Sequence, residues 1–326
     1  MTALRRRPIP AQALACTLLL MLGGCVAPGR VPADWAGPPA SVELVRTPFF
    51  PQQQDQCGPA ALATVLAASG LPVTPVDLRD EVYLPGRRGS LQAEVVAAAR
   101  SRGRLPYLLP PQPEALLAEL EAGRPVLVLQ KLGFGPWPLW HYAVLVGVDS
   151  AGKRVLLRSG REQRLEMSAS RFLASWERAG RWALVTLRPG ELPATPLLGP
   201  YMEAAAGLEA LGRLADAERA YAAAAAAWPE SALPSLGLAN VAYARGDLPR
   251  AERGYRAAVA LDPLNVVALN NRAETLLRLG CPGQARRVAG AAQSLAADGP
   301  FEPTVRATLT GIAADVGPDR VGCPSN

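Results

Sequence analysis

Hydrophobic residues follow two patterns in the part of the chain that precedes residue 189. Short runs rich in Val and Leu predict β-strands, and longer stretches with helical spacing of apolar residues predict α-helices. Ser90 stands where it would cap the first of these helices. An α+β domain is therefore expected over residues 46–188. The predicted strands cover residues 125–131, 141–148, 154–158 and 182–187, and the predicted helices cover residues 90–102, 113–122 and 168–178.

A different pattern begins after the Pro-rich linker at 189–200, where alanine dominates and a phrase recurs every 34 residues. The repeat resembles the tetratricopeptide repeat, in which each unit is a pair of helices. The resemblance implies an all-α solenoid over residues 201–299, followed by a capping helix and a loose tail over 300–326. A generic Ala-rich helical bundle is the alternative. The residues that keep the period are Gly212, Gly246 and Gly280, Ala217, Ala251 and Ala285, Tyr221 and Tyr255, and Pro229 and Pro263.

The first 25 residues have the layout of a secretory signal. Three arginines at 5–7 precede an apolar run of about a dozen residues, which is too short for a membrane-spanning helix of about 20 residues. The run ends in Leu-Gly-Gly-Cys, which resembles the bacterial lipobox. This implies removal of residues 1–24, lipidation of Cys25 and, because Val26 follows, an outer-membrane lipoprotein facing the periplasm. The alternative is an ordinary cleaved signal with a chance cysteine. Residues 25–45 are rich in Pro, Gly and Ala and predict a tether.

The charge of the chain argues against nucleic-acid binding. The formal net charge is +6, and loss of the three arginines in the signal leaves 31 basic against 28 acidic residues, a net charge of +3. This excess is small, and no basic stripe is interleaved with aromatic residues. No cofactor or metal ligand is expected. The expected partners are a peptide or protein substrate, a protein bound by the repeats, and the membrane that holds the lipid anchor.

The five cysteines have different expected roles. Cys16 leaves with the signal, and Cys25 is the lipidation site. Three cysteines remain in an oxidising compartment, so one is left over if the other two pair. Cys281 and Cys323 lie near the C-terminus and are the pair that could bridge, which leaves Cys57 as the free thiol.

Cys57 precedes Gly58-Pro59 and a run of helix formers that ends at Ala68. Proline suits the first helical turn, so Cys57 is predicted at a helix N-terminus. The helix dipole favours the thiolate there, and a lowered pKa is expected. A buried structural cysteine is the other interpretation of Cys57.

His141 is the only histidine in the chain. It opens an apolar run directly after a Gly-, Pro- and Trp-rich segment, 133–140, that predicts a loop. A base at the mouth of a strand beside a loop is well placed to meet a thiol at a helix start, as Cys–His catalysis requires. A lone histidine is more often structural, but this one falls where a base is needed.

Together the two segments resemble a known family. Gln-x-x-x-x-Cys-Gly-Pro-Ala-Ala-Leu, followed by His-Tyr-Ala-Val-Leu-Val-Gly, is similar to the bacteriocin-processing peptidases, which are papain-like cysteine peptidases that trim double-glycine leaders. The resemblance covers residues 46–188. It implies that Cys57 is the nucleophile and His141 the general base. It also implies that Gln52 contributes to the oxyanion hole, with Gln53 as the second choice.

The third catalytic residue departs from the family pattern, which usually has an Asp after the His strand. A hairpin centred near residue 151 brings His141 opposite residues 159–161, where no carboxylate is present. Asp149 is eight residues along the strand, roughly 26 Å from His141 at about 3.3 Å per residue. Ser159 is therefore expected to orient the imidazole through its hydroxyl, with Glu162 as a distant reserve.

Two functions remain open at this point. The first is a membrane-anchored cysteine peptidase whose repeats bind substrate or a partner. The second is a non-catalytic peptide-binding or scaffold lipoprotein of an envelope complex, which the missing carboxylate favours. A Cys–His–His amidase is excluded because the chain has a single histidine.

Overall fold

The computed structural model describes residues 35, 38, 40–53, 55–134, 137–149, 151, 153–314 and 317–324. The predicted signal and the Cys25 lipidation site lie outside these residues. Within them, an α+β unit is followed by a series of helices. None of the helices in the described ranges has the length and hydrophobicity needed to cross a membrane.

The α+β unit begins with strand β1 (Val42–Glu43) and the Cys-bearing helix α1 (Cys57–Ala68). Pro59 in the first turn of α1 and the nine-residue apolar run after it explain the helix start. The remaining elements are α2 (Pro75–Val82), a 3₁₀ turn (Pro85–Arg87), α3 (Gln92–Ser101), β2 (Leu105–Leu108), α4 (Pro113–Glu121), β3 (Val126–Phe134), β4 (Trp137–Val148), β5 (Arg154–Ser159), β6 (Glu162–Ser168), α5 (Ala169–Glu177) and β7 (Ala183–Leu187).

The strands form one antiparallel sheet with the order β2–β7–β3–β4–β5–β6. Strand β4 is the long central element, and β1 pairs with its C-terminal end through Val42 and Val148. The pairing of β4 with β5 shifts register between Leu145 and Gly147, as in a β-bulge. Hydrophobic clusters cover both faces of the sheet, which explains why the central strands are continuously apolar rather than alternating.

The two faces carry different helices. Leu62 and Leu66 of α1 pack with Leu78 of α2 and Val144 of β4 in one buried cluster. Leu116 of α4 and Trp176 of α5 belong to the cluster on the other face. Helix α1, which carries Cys57, is thus held against the sheet by a hydrophobic cluster in which Leu62 and Leu66 are fully buried.

Several predicted elements are confirmed, and some details are wrong. The segment 133–140 is not a loop, because most of it extends β3 and β4 into a long hairpin, so that His141 lies within β4 rather than at its mouth. Ser90 does not cap α3, whose N-cap is Leu91, and its buried hydroxyl has no hydrogen-bond partner among the described residues. Strands β2 and β6 and helix α2 were not predicted, since they are short or carry mixed polarity.

The segment after β7 is packed rather than free. The Tyr107 hydroxyl donates to the carbonyl of Thr195 and accepts from the Leu197 N–H, both at 3.1 Å. The buried carboxylate of Glu119 accepts from the Ala194 N–H at 2.7 Å and is paired with Arg124. These contacts tie the predicted linker to the α+β unit.

The second half is a series of helix pairs. Gly212, Gly246 and Gly280 lie at the turns inside the pairs with φ of +71°, +78° and +80°, which explains why glycine recurs there. Tyr221 and Tyr255 are buried in the helices that follow. The helices are α6 (Leu198–Ala210), α7 (Leu214–Ala227), α8 (Ala232–Ala244), α9 (Leu248–Leu261), α10 (Val266–Arg278), α11 (Pro282–Ala296) and α12 (Glu302–Ala314).

The C-terminal segment is fastened to the last pair. Cys281 and Cys323 form a disulfide with a Cα–Cα distance of 5.9 Å, so the pairing left open by the sequence is present. Asp319 accepts from the Gly283 N–H at 2.6 Å at the start of α11. The expectation of a loose tail is therefore wrong for residues 317–324.

Candidate active site

Cys57 is the first residue of α1, as the sequence predicts, and its thiol is free. The backbone N–H groups of Tyr142, Gly58 and Cys57 itself act to lower the pKa of the Cys57 thiol. Tyr142 is the chain neighbour of His141 on β4. Cys57 therefore lies beside the strand that carries His141.

Burial raises the pKa of the Cys57 thiol above its ordinary value of 9.0 and outweighs these hydrogen bonds. The charge of Asp55 acts in the same direction. The lowered pKa predicted from the helix position is therefore wrong. Burial also lowers the pKa of His141 from 6.5 to about 4. Both groups are consequently neutral near pH 7, and a thiolate–imidazolium pair is not the resting state.

Ser159 lies at the end of β5 and holds the imidazole, with its Oγ 2.8 Å from Nε2 of His141. When Nε2 carries the proton, Ser159 accepts and Nδ1 keeps its lone pair. Nδ1 is then the nitrogen able to take a proton from a thiol. The two-residue turn at Gly160 and Arg161, with φ of +64° at Gly160, ends β5 at this point.

Gln52 is half-buried and lines the cavity that also contains Cys57 and His141. Its backbone N–H donates to the carbonyl of Gly160 at 2.9 Å, which fixes it beside the Ser159 turn. Gln53 is exposed and does not line that cavity. The geometry favours Gln52 over Gln53 as the donor near the nucleophile.

The acidic alternatives do not reach the imidazole. Asp149 lies at the other end of β4, where its carboxylate accepts from the Lys153 N–H at 2.7 Å. Glu162 is opposite Ser159 in the β5–β6 pairing and is exposed. The His141 ring is instead hydrogen-bonded to Ser159.

Arg158 supports the site and was not singled out in the sequence. It is buried and donates to the carbonyls of Leu44, Val45 and Thr47, and to that of Gln163 at 2.5 Å. These hydrogen bonds fix residues 44–47, which precede Gln52 in the chain. An arginine inside an otherwise apolar strand is the signal that would have found it.

The fold is an antiparallel sheet packed with helices, which resembles the C39 peptidase fold, followed by a series of helical repeats. Residues 45–184 match the Peptidase_C39 like family, and residues 255–287 match the tetratricopeptide repeat. The chain therefore combines a peptidase C39-like domain with tetratricopeptide repeats.

Solved structures resemble each half of the chain. A putative C39-like peptidase from Bacillus anthracis is 18% identical over 45% of this chain and 98% of its own, with a TM-score of 0.38. The peptidase domain of Streptococcus ComA, a bifunctional ABC transporter, is 21% identical over 44% and 99%, with a TM-score of 0.36. The Yersinia enterocolitica secretion chaperone SycD is 24% identical over 36% and 83%, with a TM-score of 0.34. No curated protein matches the chain.

Proposed function

We propose that the chain is a membrane-anchored cysteine peptidase in which Cys57 is the nucleophile and His141 the general base. The observation that carries the proposal is the arrangement of this pair. Cys57 is the first residue of a helix, the backbone N–H of Tyr142 acts to lower the pKa of its thiol, and the imidazole of the adjacent His141 is held through Nε2 by Ser159. Both residues line one cavity of about 590 Å³. A structural cysteine has no need of an oriented base in a shared cleft.

The chemistry follows from the neutral resting pair. When a peptide binds, the Cys57 thiol gives its proton to Nδ1 of His141, and the sulfur attacks the scissile carbonyl carbon. The developing oxyanion accepts hydrogen bonds from the Gln52 amide and from the backbone N–H of Cys57. His141 returns the proton to the leaving amine as the C–N bond breaks. Water then hydrolyses the thioester, with His141 taking and returning its proton.

The location is proposed from the lipobox-like sequence at Cys25, which would anchor the chain to the outer membrane on its periplasmic side. The Cys281–Cys323 disulfide supports an oxidising compartment. Mass spectrometry of the chain from a membrane fraction tests this directly. A diacylated or triacylated N-terminal Cys25 is expected, and an unmodified N-terminus would contradict the anchor.

The repeats are proposed to bind the substrate or a partner protein. A cavity of about 290 Å³ between successive helix pairs is lined by polar groups, among them Asn240, Tyr243, Asn271 and Glu274. Amides and phenols of this kind bind extended peptide backbones. Deletion of the repeats is not a clean test, because the linker is packed on the peptidase-like domain.

The second candidate is a scaffold that binds peptides without cutting them. Within the described residues, the side chain that His141 is hydrogen-bonded to is Ser159 rather than a carboxylate, which favours the scaffold because an imidazolium would have no negative partner there. The peptidase proposal is preferred because Ser159 still orients the ring and Gln52 still faces the cavity.

The deciding experiment exposes a proteome-derived peptide library to the full chain and identifies new termini by mass spectrometry. We expect cleavage by the wild type and by Gln53→Ala, and none by Cys57→Ala or His141→Ala. Iodoacetamide mapping of Cys57 in each variant shows whether the thiol remains accessible. Cleavage that persists in Cys57→Ala would come from a contaminating peptidase. If no sample shows cleavage, the scaffold is the remaining function.

A further inference from the structure

The cleft at Cys57 has two walls of different chemistry beside the catalytic groups. One wall, called the loop wall, is the end of the 3₁₀ turn and the residue that follows it, which contribute Arg87 and Arg88. The other is the β3–β4 hairpin, which contributes Leu139 and Trp140, 60% and 50% exposed. Both walls line the same cavity as Cys57, so a peptide lying across the nucleophile would contact both.

The charges of the cavity lining are unequal. Its charged residues are Asp55, Arg87 and Arg88, since His141 is neutral. Arg88 is paired with Asp55, whose Oδ2 lies 2.9 Å from Nη2 and 3.0 Å from Nε. Arg87 is exposed and has no ion-pair partner within the described residues. The lining therefore carries one uncompensated positive charge, and it lies on the loop wall.

The Asp55–Arg88 pair also leaves Arg87 without an acidic partner in the cavity lining. Asp55 and Arg88 have φ of +61° and +48°, a conformation that side-chain-bearing residues adopt infrequently. Their ion pair joins the segment before Cys57 to the loop and uses up the acidic group of the cleft. An acidic side chain of a substrate could therefore pair with Arg87, because Arg88 already neutralises Asp55.

The hairpin wall adds a second positive charge at its rim. Lys131 lies over the ring of Trp140, with Nζ 5.5 Å from the ring centroid. Leu139 and Trp140 expose apolar surface next to that charge. The cleft thus combines an apolar platform with positive charge on both sides, which disfavours a basic peptide.

We propose that this cleft selects peptides that place an acidic side chain against Arg87 and an apolar side chain on Leu139 and Trp140. The inference rests on the proposed function only in that the cleft is taken to bind peptide. Arg87 is a specificity-determining residue in this proposal, because a guanidinium binds a carboxylate in a fixed, two-pronged geometry.

The test separates binding from cleavage by using the full chain with Cys57→Ala, immobilised and exposed to hexapeptide pools. In each pool one position is fixed as Glu, Gln or Lys beside a fixed Leu, and retained peptides are quantified by mass spectrometry. We expect Glu pools to be retained about tenfold over Lys pools at the preferred position, as suits one charged hydrogen-bonded contact. The preference should weaken as salt is raised.

Adding Arg87→Glu to this background should reverse the order, so that Lys pools are retained over Glu pools. The matched control is Arg171→Glu, an exposed arginine on α5 that does not line the cleft, which should leave the order unchanged. Equal effects of both variants would show only long-range charge and would overturn the proposal.

The remaining outcomes are also decisive. Retention of peptides without any preference between Glu and Lys overturns the specificity, while cleavage by the wild type in the same pools leaves the peptidase proposal standing. Retention with the expected preference but no cleavage supports the specificity and removes the peptidase. If no pool is retained and none is cleaved, both proposals fail.

Discussion

Replacing Ser159 with Asp should restore basicity to His141 and thereby test the proposed proton transfer. The Ser159 hydroxyl lies 2.8 Å from Nε2, so a carboxylate at this position would face the same nitrogen. Burial currently lowers the pKa of His141 from 6.5 to about 4. That difference corresponds to about 3 kcal/mol against the imidazolium that must form when the Cys57 thiol loses its proton.

The expected size of the change follows from the contact. An opposite charge within hydrogen-bonding distance raises a histidine pKa by about 1–3 units, which corresponds to about 1–4 kcal/mol in favour of the imidazolium. We expect Ser159→Asp to recover much of the loss caused by burial. Ser159→Asn provides the matched control, because the asparagine side chain is similar to aspartate in shape and can also accept a hydrogen bond but carries no charge.

The assay uses the fact that the chain has one histidine. In protein purified without a polyhistidine tag, imidazole NMR signals belong to His141 alone, and their pH titration gives its pKa. Iodoacetamide labelling of Cys57 near pH 7 should also accelerate in Ser159→Asp. Equal His141 pKa values in the Asp and Asn variants would refute the contact between residue 159 and the imidazole, and with it the role of Ser159.

Three further predictions concern the same elements. Gln52→Ala should lower kcat by about 10²–10³-fold on any cleaved peptide, because a hydrogen-bond donor to the oxyanion is lost. An equal loss in Gln53→Ala would contradict the assignment of Gln52 to the oxyanion hole. The pKa of His141 is about 4 in the folded chain and 6.5 ordinarily, so the unfolded chain takes up the proton first as the pH falls. The free energy of unfolding should therefore rise with pH across this window and be about 3 kcal/mol lower near pH 4. Chemical denaturation of His141→Gln should lack that component, and identical pH profiles would argue against its burial. Replacing both Cys281 and Cys323 with Ser should destabilise the last helix pair by about 4 kcal/mol, given the 42-residue separation of the two cysteines. Hydrogen exchange should become faster in residues 302–314 and change little in α1. An equal change throughout the chain would contradict a local effect.

Local signals were enough to predict where the nucleophile and the repeats lie. Cys57 is placed by Gly58 and Pro59, because proline in the first turn and the apolar run after it start a helix whatever the rest of the chain does. The period of 34 residues likewise predicts helix pairs, since glycine with positive φ is needed at each turn. These features depend on neighbours in sequence, so the sequence alone determines them.

Contacts between distant segments decided the rest. The register shift between β4 and β5, the turn at Gly160 and the hydrogen bonds of Arg158 are features of the folded chain that the spacing of residues does not show. The pKa of Cys57 is shifted upwards, opposite to the expectation from the helix start, because burial of the thiol outweighs the groups that favour the thiolate. Spacing had placed Ser159 near the imidazole, and the role proposed for it depends on a hydrogen bond between residues of two different strands. Desolvation and cross-strand register are properties of the folded chain, which is why only the tertiary structure determined them.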